Sequence, residues 1–129
     1  MRTIITQIML DELTEQAKAS PRKRAHLDLR NSPEDTSQRM LNAIEPTAIV
    51  PVHFHRYSSE TVTCLRGRLL EEFYDASGQL TDTIELTPGG PVAVLNVPMG
   101  QMHTARALES GTVILEMKDG KYVLNETEG

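Results

Sequence analysis

The chain has 129 residues with 13 Lys and Arg, 18 Asp and Glu, four His, one Cys and no Trp, a length that makes one domain able to fold without a disulfide or metal staple. One Cys excludes an internal disulfide framework and a multi-cysteine zinc site, and a 39% apolar content with no run of about 18 apolar residues excludes both wholesale disorder and a transmembrane helix. A net charge of −5 argues against nucleic acid as a partner, and Asp11 and Glu12 interrupt any signal-like stretch, so a cytoplasmic protein with no membrane partner is expected.

The charge is unevenly spread. Residues 1–68 carry ten Lys and Arg against eight Asp and Glu, whereas residues 69–129 carry three against ten. In chain order, Thr6 to Ser20 reads as a helix, with Leu10, Leu13 and Ala17 on one face and Pro21 beyond its end. Residues 21–31 are basic, and Ala25, Leu27 and Leu29 alternate with polar residues, as in a strand or an extended arm. Ser32-Pro33-Glu34-Asp35 is a turn.

From about Gln38 the pattern changes to short strands. Met40–Glu45, Thr61–Leu65, Leu69–Tyr74, Leu80–Leu86, Val92–Val97 and Thr112–Lys118 are candidates. They are separated by Arg66-Gly67-Arg68, Asp75-Ala76-Ser77-Gly78 and Pro88-Gly89-Gly90-Pro91. Short strands at regular spacing with Gly/Pro turns predict a sandwich or small barrel. The division expected is an N-terminal helix and basic arm over 1–37 packing on a β-barrel over 38–129, one structural domain overall.

Two segments concentrate the chemistry. In an extended stretch, His53 and His55 point to one face, and Glu60 lies a short loop away. Pro98-Met99-Gly100-Gln101-Met102-His103 adds a third imidazole from a tight turn. Three His and a Glu make a mixed nitrogen and oxygen donor set. The expected ligands are therefore His53, His55, Glu60 and His103, holding one divalent transition metal such as Zn, Fe, Ni or Mn. Glu60 is also the candidate proton carrier. Cys64, in an apolar strand, reads as a buried inert thiol.

The two segments resemble the paired motifs of the cupin superfamily: His-x-His, four residues, Glu, six residues, Gly67, and later Pro-x-Gly-x-x-His. The resemblance implies a mainly β fold, a single jelly-roll (double-stranded β-helix) barrel. It extends to the WbuC-like family of cupin-fold metalloproteins through Ser20-Pro21-Arg22-Lys23-Arg24-Ala25-His26-Leu27-Asp28-Leu29, Gln38-Arg39-Met40-Leu41 and Glu116-Met117-Lys118-Asp119-Gly120-Lys121-Tyr122. That family is associated with surface-polysaccharide gene clusters. By this resemblance Arg22, Arg24, Arg39 and Tyr122 are candidate ligand-binding residues, and a small anionic, sugar-derived molecule is their natural partner. His26 is expected to face the pocket without ligating. The arm is expected across the barrel mouth, and the chain as a homodimer. The function expected is metal-dependent isomerase- or epimerase-like chemistry on an anionic sugar derivative. A non-catalytic metal-dependent binding module and an Fe-dependent dioxygenase are the alternatives.

Overall fold

The computed structural model describes residues 2–120. It holds one helix, α1 (Gln7–Ala19), and eight strands among the described residues. These are β1 (Arg24–Asp28), β2 (Ser37–Ile44), β3 (Glu60–Arg66), β4 (Leu69–Tyr74), β5 (Leu80–Leu86), β6 (Leu95–Val97), β7 (Met102–Ala107) and β8 (Thr112–Asp119). The strands form two antiparallel sheets, one in the order β1-β2-β8-β3-β6 and one in the order β5-β4-β7. Together they make the mainly β barrel the sequence predicts, with one N-terminal helix.

The helix starts where Thr6 turns its hydroxyl to the Met9 N–H at 3.2 Å, satisfying one of the free donors of the first turn. Its apolar face, Leu10, Leu13 and Ala17, packs on the outer face of the large sheet against Leu41, Ala43 and Val113, with Ala25, Leu27 and Leu29 at the margin. Arg66 ties the helix to the barrel through Asp11 at 2.7 Å and the Gln7 side chain.

This packing explains the basic segment. Ala25, Leu27 and Leu29 must bury one face against α1, so residues 24–28 become a strand paired with β2 from Arg24 opposite Ile44 to Asp28 opposite Met40. The segment is thus the edge strand of the large sheet, not a strap across the opening.

Two further expectations change. The expected strand over 92–97 pairs only at Leu95–Val97. The stretch after the Pro98 turn, read as turn alone, becomes strand β7, which pairs along the whole of β4.

Period-two alternation sorts the interior. Inward positions at one end of the barrel are apolar: Ile44, Val62, Cys64, Leu69, Ala107 and Ile114 form a buried plug. Toward the other end the same strands turn polar, with Asn42, Glu60, Glu71, His103, Glu116 and Lys118 around a cavity of about 700 Å³. Gly67 lets the β3–β4 turn press on β8. Its φ is +78°, and a Cβ there would lie 2.3 Å from the Thr112 Oγ1 and 2.7 Å from the Thr112 Cα.

Candidate metal centre

His53 and His55 come from an extended segment outside the continuous ladders, held at one point. The His53 N–H donates to the His103 carbonyl at 2.9 Å, and the His103 N–H donates back at 2.8 Å. The Gly100 N–H closes the arrangement on the His55 carbonyl at 2.9 Å. The two histidine motifs are therefore stapled backbone to backbone before any ligand is considered. The Gln101 amide adds a bond to the Tyr74 carbonyl, and the Thr104 hydroxyl donates to the Val50 carbonyl at 2.5 Å.

The three imidazoles each offer one nitrogen within 4.8 Å of the others. His53 Nδ1 lies 2.8 Å from the Pro51 carbonyl and His103 Nδ1 lies 2.9 Å from the Gln101 carbonyl. A carbonyl only accepts, so each Nδ1 carries the proton and leaves its Nε2 as a lone pair. Burial disfavours the imidazolium at both rings, lowering His53 and pushing His103 down to about 4. Neutral, oriented imidazoles with outer nitrogens fixed by carbonyls are what a transition-metal site needs, so the residues present fit the ion. Their chemistry favours a borderline metal over Mg or Ca.

Glu60 adjoins the group from one side. Its Oε2 is 2.9 Å from His55 Nε2 and 4.0 Å from His103 Nε2. Burial raises its pKa, opposed by Lys118 and by a hydrogen bond with Glu116. Burial also raises Glu116, and the Glu60 charge adds to this, while the Asn42 amide, 2.6 Å away, opposes it. The pair is therefore biased toward keeping a shared proton.

Arg22, Arg24 and His26 line the cavity, as does Arg30. Arg24 and His26 alternate along β1 on the face opposite the helix-packing residues. Arg39 does not join them. It lies one step out of phase with Gln38 and Met40, which line the cavity, and its guanidinium forks onto Asp35 at 2.7 and 3.3 Å. Arg39 is thus corrected from pocket residue to an ion pair that fixes the turn before β2. Tyr122 lies outside the described residues. His26 lines the cavity but stands apart from the cluster of imidazoles. Cys64 is buried, its Sγ near the Arg66 carbonyl at 3.0 Å, and burial pushes its thiol up.

Sequence reasoning missed Asn42, Glu71 and Lys118, and it counted Arg30 in the basic cluster without carrying it into the ligand-binding set. The signal for Lys118 was present: Ile114, Glu116 and Lys118 share the inward phase of one strand. Glu71 carried no such signal, because Glu72 beside it is the same residue type facing outward.

Comparison with solved structures agrees on the fold. KdgF from a Halomonas species superposes with a TM-score of 0.63 at 15% identity, over 81% of this chain and 85% of that one. Oxalate oxidase in complex with the substrate analogue glycolate gives 0.63 and 15%, over 79% and 53%. The capsular polysaccharide assembling protein CapF from Staphylococcus aureus gives 0.68 and 18%, over 85% and 32%. The chain thus spans about half of oxalate oxidase and a third of CapF. These likenesses show the cupin fold. No curated protein matches the sequence. The profile of a family described as a domain of unknown function, DUF6016, matches residues 5–86, more than half of the chain, and the chain belongs to that family.

Proposed function

We propose that the chain is a metal-binding cupin protein that takes an anionic sugar derivative into its cavity, and that its chemistry is of the isomerase or epimerase kind. The observation that carries this reading is one cavity with two unlike walls. Three imidazoles converge on one side, and Arg22 and Arg24, just before and at the start of β1, line another. Guanidinium groups suit phosphate and carboxylate through paired N–H donors. The WbuC-like resemblance and the likeness to CapF, named for capsular polysaccharide assembly, support a role in surface-polysaccharide metabolism; the setting proposed is the cytoplasm and the state a homodimer.

His53, His55 and His103 would hold the metal, with Glu60 as fourth donor or as proton carrier. A bound divalent ion supplies Lewis-acid polarisation of a carbonyl or hydroxyl oxygen. The chain's own groups do the rest. Arg22 and Arg24 would fix the anionic end of the molecule. Glu60 Oε2, beside His55, would take a proton from a carbon next to a carbonyl or hydroxyl group and return it to the neighbouring atom on the same face, whereas inversion needs a second proton donor on the opposite face.

The test is metal analysis of protein purified without a metal-binding tag, followed by thermal melting with sugar phosphates and sugar acids. About one metal per chain is expected, with stabilisation by one of these anions and turnover that disappears in His53→Ala. Protein that stays metal-free in excess Zn, Ni and Fe, or a metal-loaded protein that no sugar anion stabilises, would overturn the reading.

A further inference from the structure

Glu71 stands on the inward face of β4 between Leu69 and Phe73, both buried. It is 2% exposed and lines the cavity. Its Oε1 is fully buried and has no hydrogen-bond partner among the described residues. The residues across the ladder, Ile84 on β5 and Ala105 on β7, have no polar side-chain atoms to offer. Leu would fill this place without leaving a polar atom unsatisfied, so the carboxyl is held against the interests of folding. Burial, reinforced by the charges of Glu60 and Glu116, pushes its pKa up to about 9. Burial thus biases the carboxyl toward its neutral form in the metal-free chain.

We propose that Glu71 is a ligand-recognition residue: a buried carboxyl of the cavity wall, with an oxygen unpartnered by the described residues, that hydrogen-bonds a hydroxyl group of the bound molecule. A hydroxyl both donates and accepts, and so suits the carboxyl in either protonation state. An anion bearing only acceptors leaves Oε1 unsatisfied. The ligand class is therefore a hydroxylated anion rather than a simple dianion. Arg24 and its neighbours hold the charged end, and Glu71 reads a hydroxyl on the body of the molecule. This inference rests on the anionic-sugar reading and adds a residue that discriminates within it.

The experiment compares metal-loaded wild type, Glu71→Leu and Glu71→Gln by thermal melting, metal content and probe affinity. The probes are glucose 6-phosphate and galacturonate, which carry hydroxyls, and sulfate, which does not. Glu71→Leu is expected to melt about 4 °C higher without a probe and to keep its metal. It should bind the hydroxylated probe roughly tenfold more weakly while binding sulfate as wild type does. Glu71→Gln, which keeps a donor and an acceptor, should lose less. A Glu71→Leu protein that melts lower, loses metal, or binds the hydroxylated probe as well as wild type overturns the role of Glu71 alone. A wild type that no hydroxylated anion stabilises overturns the sugar reading and this inference with it.

Discussion

His103 and Glu71 sit in the same barrel, and burial shifts their proton equilibria in opposite directions for one reason: each is driven toward its neutral form. His103 is lowered from 6.5 to about 4 and Glu71 is raised from 4.5 to about 9. The sign of each contribution follows from linkage. A folded pKa below the unfolded one gives stability that is lost as pH falls, so the imidazole contribution fades from about 6.5 down to about 4. A folded pKa above the unfolded one gives stability that is full below about 4.5 and fades as pH rises toward about 9. Between 4.5 and 6.5 the two change in opposite directions, and above 6.5 the imidazole contribution is full and only the carboxyl contribution still changes with pH. Chelator-treated protein is therefore expected to melt at falling temperature from pH 6.5 to 9, by at most about 1.4 kcal/mol per pH unit for each proton held. Glu60 and Glu116 act with the same sign, so Glu71→Gln should flatten this slope without abolishing it. Calorimetry across that range decides the matter; a wild-type melting temperature that holds level or climbs would contradict it.

Among the elements, those that local pattern determines were legible and those that pairing determines were not. The 3.6-residue spacing of Leu10, Leu13 and Ala17 marked α1, and Leu69–Tyr74 emerged as β4 to the residue. Strand β7 escaped because Met102-His103-Thr104-Ala105-Arg106-Ala107 has no β-branched run of its own. It is a strand because all six of its residues find partners along β4. The metal-binding candidates were legible because ligand spacing is written along the chain. The cavity walls were less so, since they depend on which phase of a strand faces inward, as Arg39 and Glu71 each show. Gly67 belongs to this scale. Its positive φ and its contact with Thr112 set how closely the β3–β4 turn lies on β8, and Thr112 returns a bond to the Arg68 N–H at 3.2 Å. Gly67→Ala meets both a disfavoured backbone region and a collision with backbone atoms. It is expected to cost about 2–4 kcal/mol, read from urea unfolding midpoints, whereas Gly78→Ala, with open space around its Cβ, should cost only about 1 kcal/mol. Equal losses in the two variants would refute the account.

The molecule as a whole separates what holds it together from what it presents to a ligand. The barrel interior is divided along its length into an apolar plug and a polar cavity. A second apolar cluster lies outside the barrel, between α1 and the large sheet. The sheet mediates between them: β1 gives Leu27 to the helix and His26 to the cavity, and β8 gives Val113 to the helix and Glu116 to the cavity. Because α1 packs on the face away from the cavity, it is a stabilising cover rather than a lid. Trimming its core should therefore lower stability without altering the site. Leu13→Ala removes a side chain only 5% exposed in that cluster and is expected to cost about 2–5 kcal/mol. At a temperature where the variant remains folded, its metal affinity should match the wild type within roughly twofold, since no ligand candidate touches the cluster and distant sites behave independently. Chemical denaturation paired with metal titration tests both halves. A large fall in metal affinity alongside intact folding would show that the helix and the metal centre are coupled through the sheet, contrary to the division of labour that alternating side chains impose on β1 and β8.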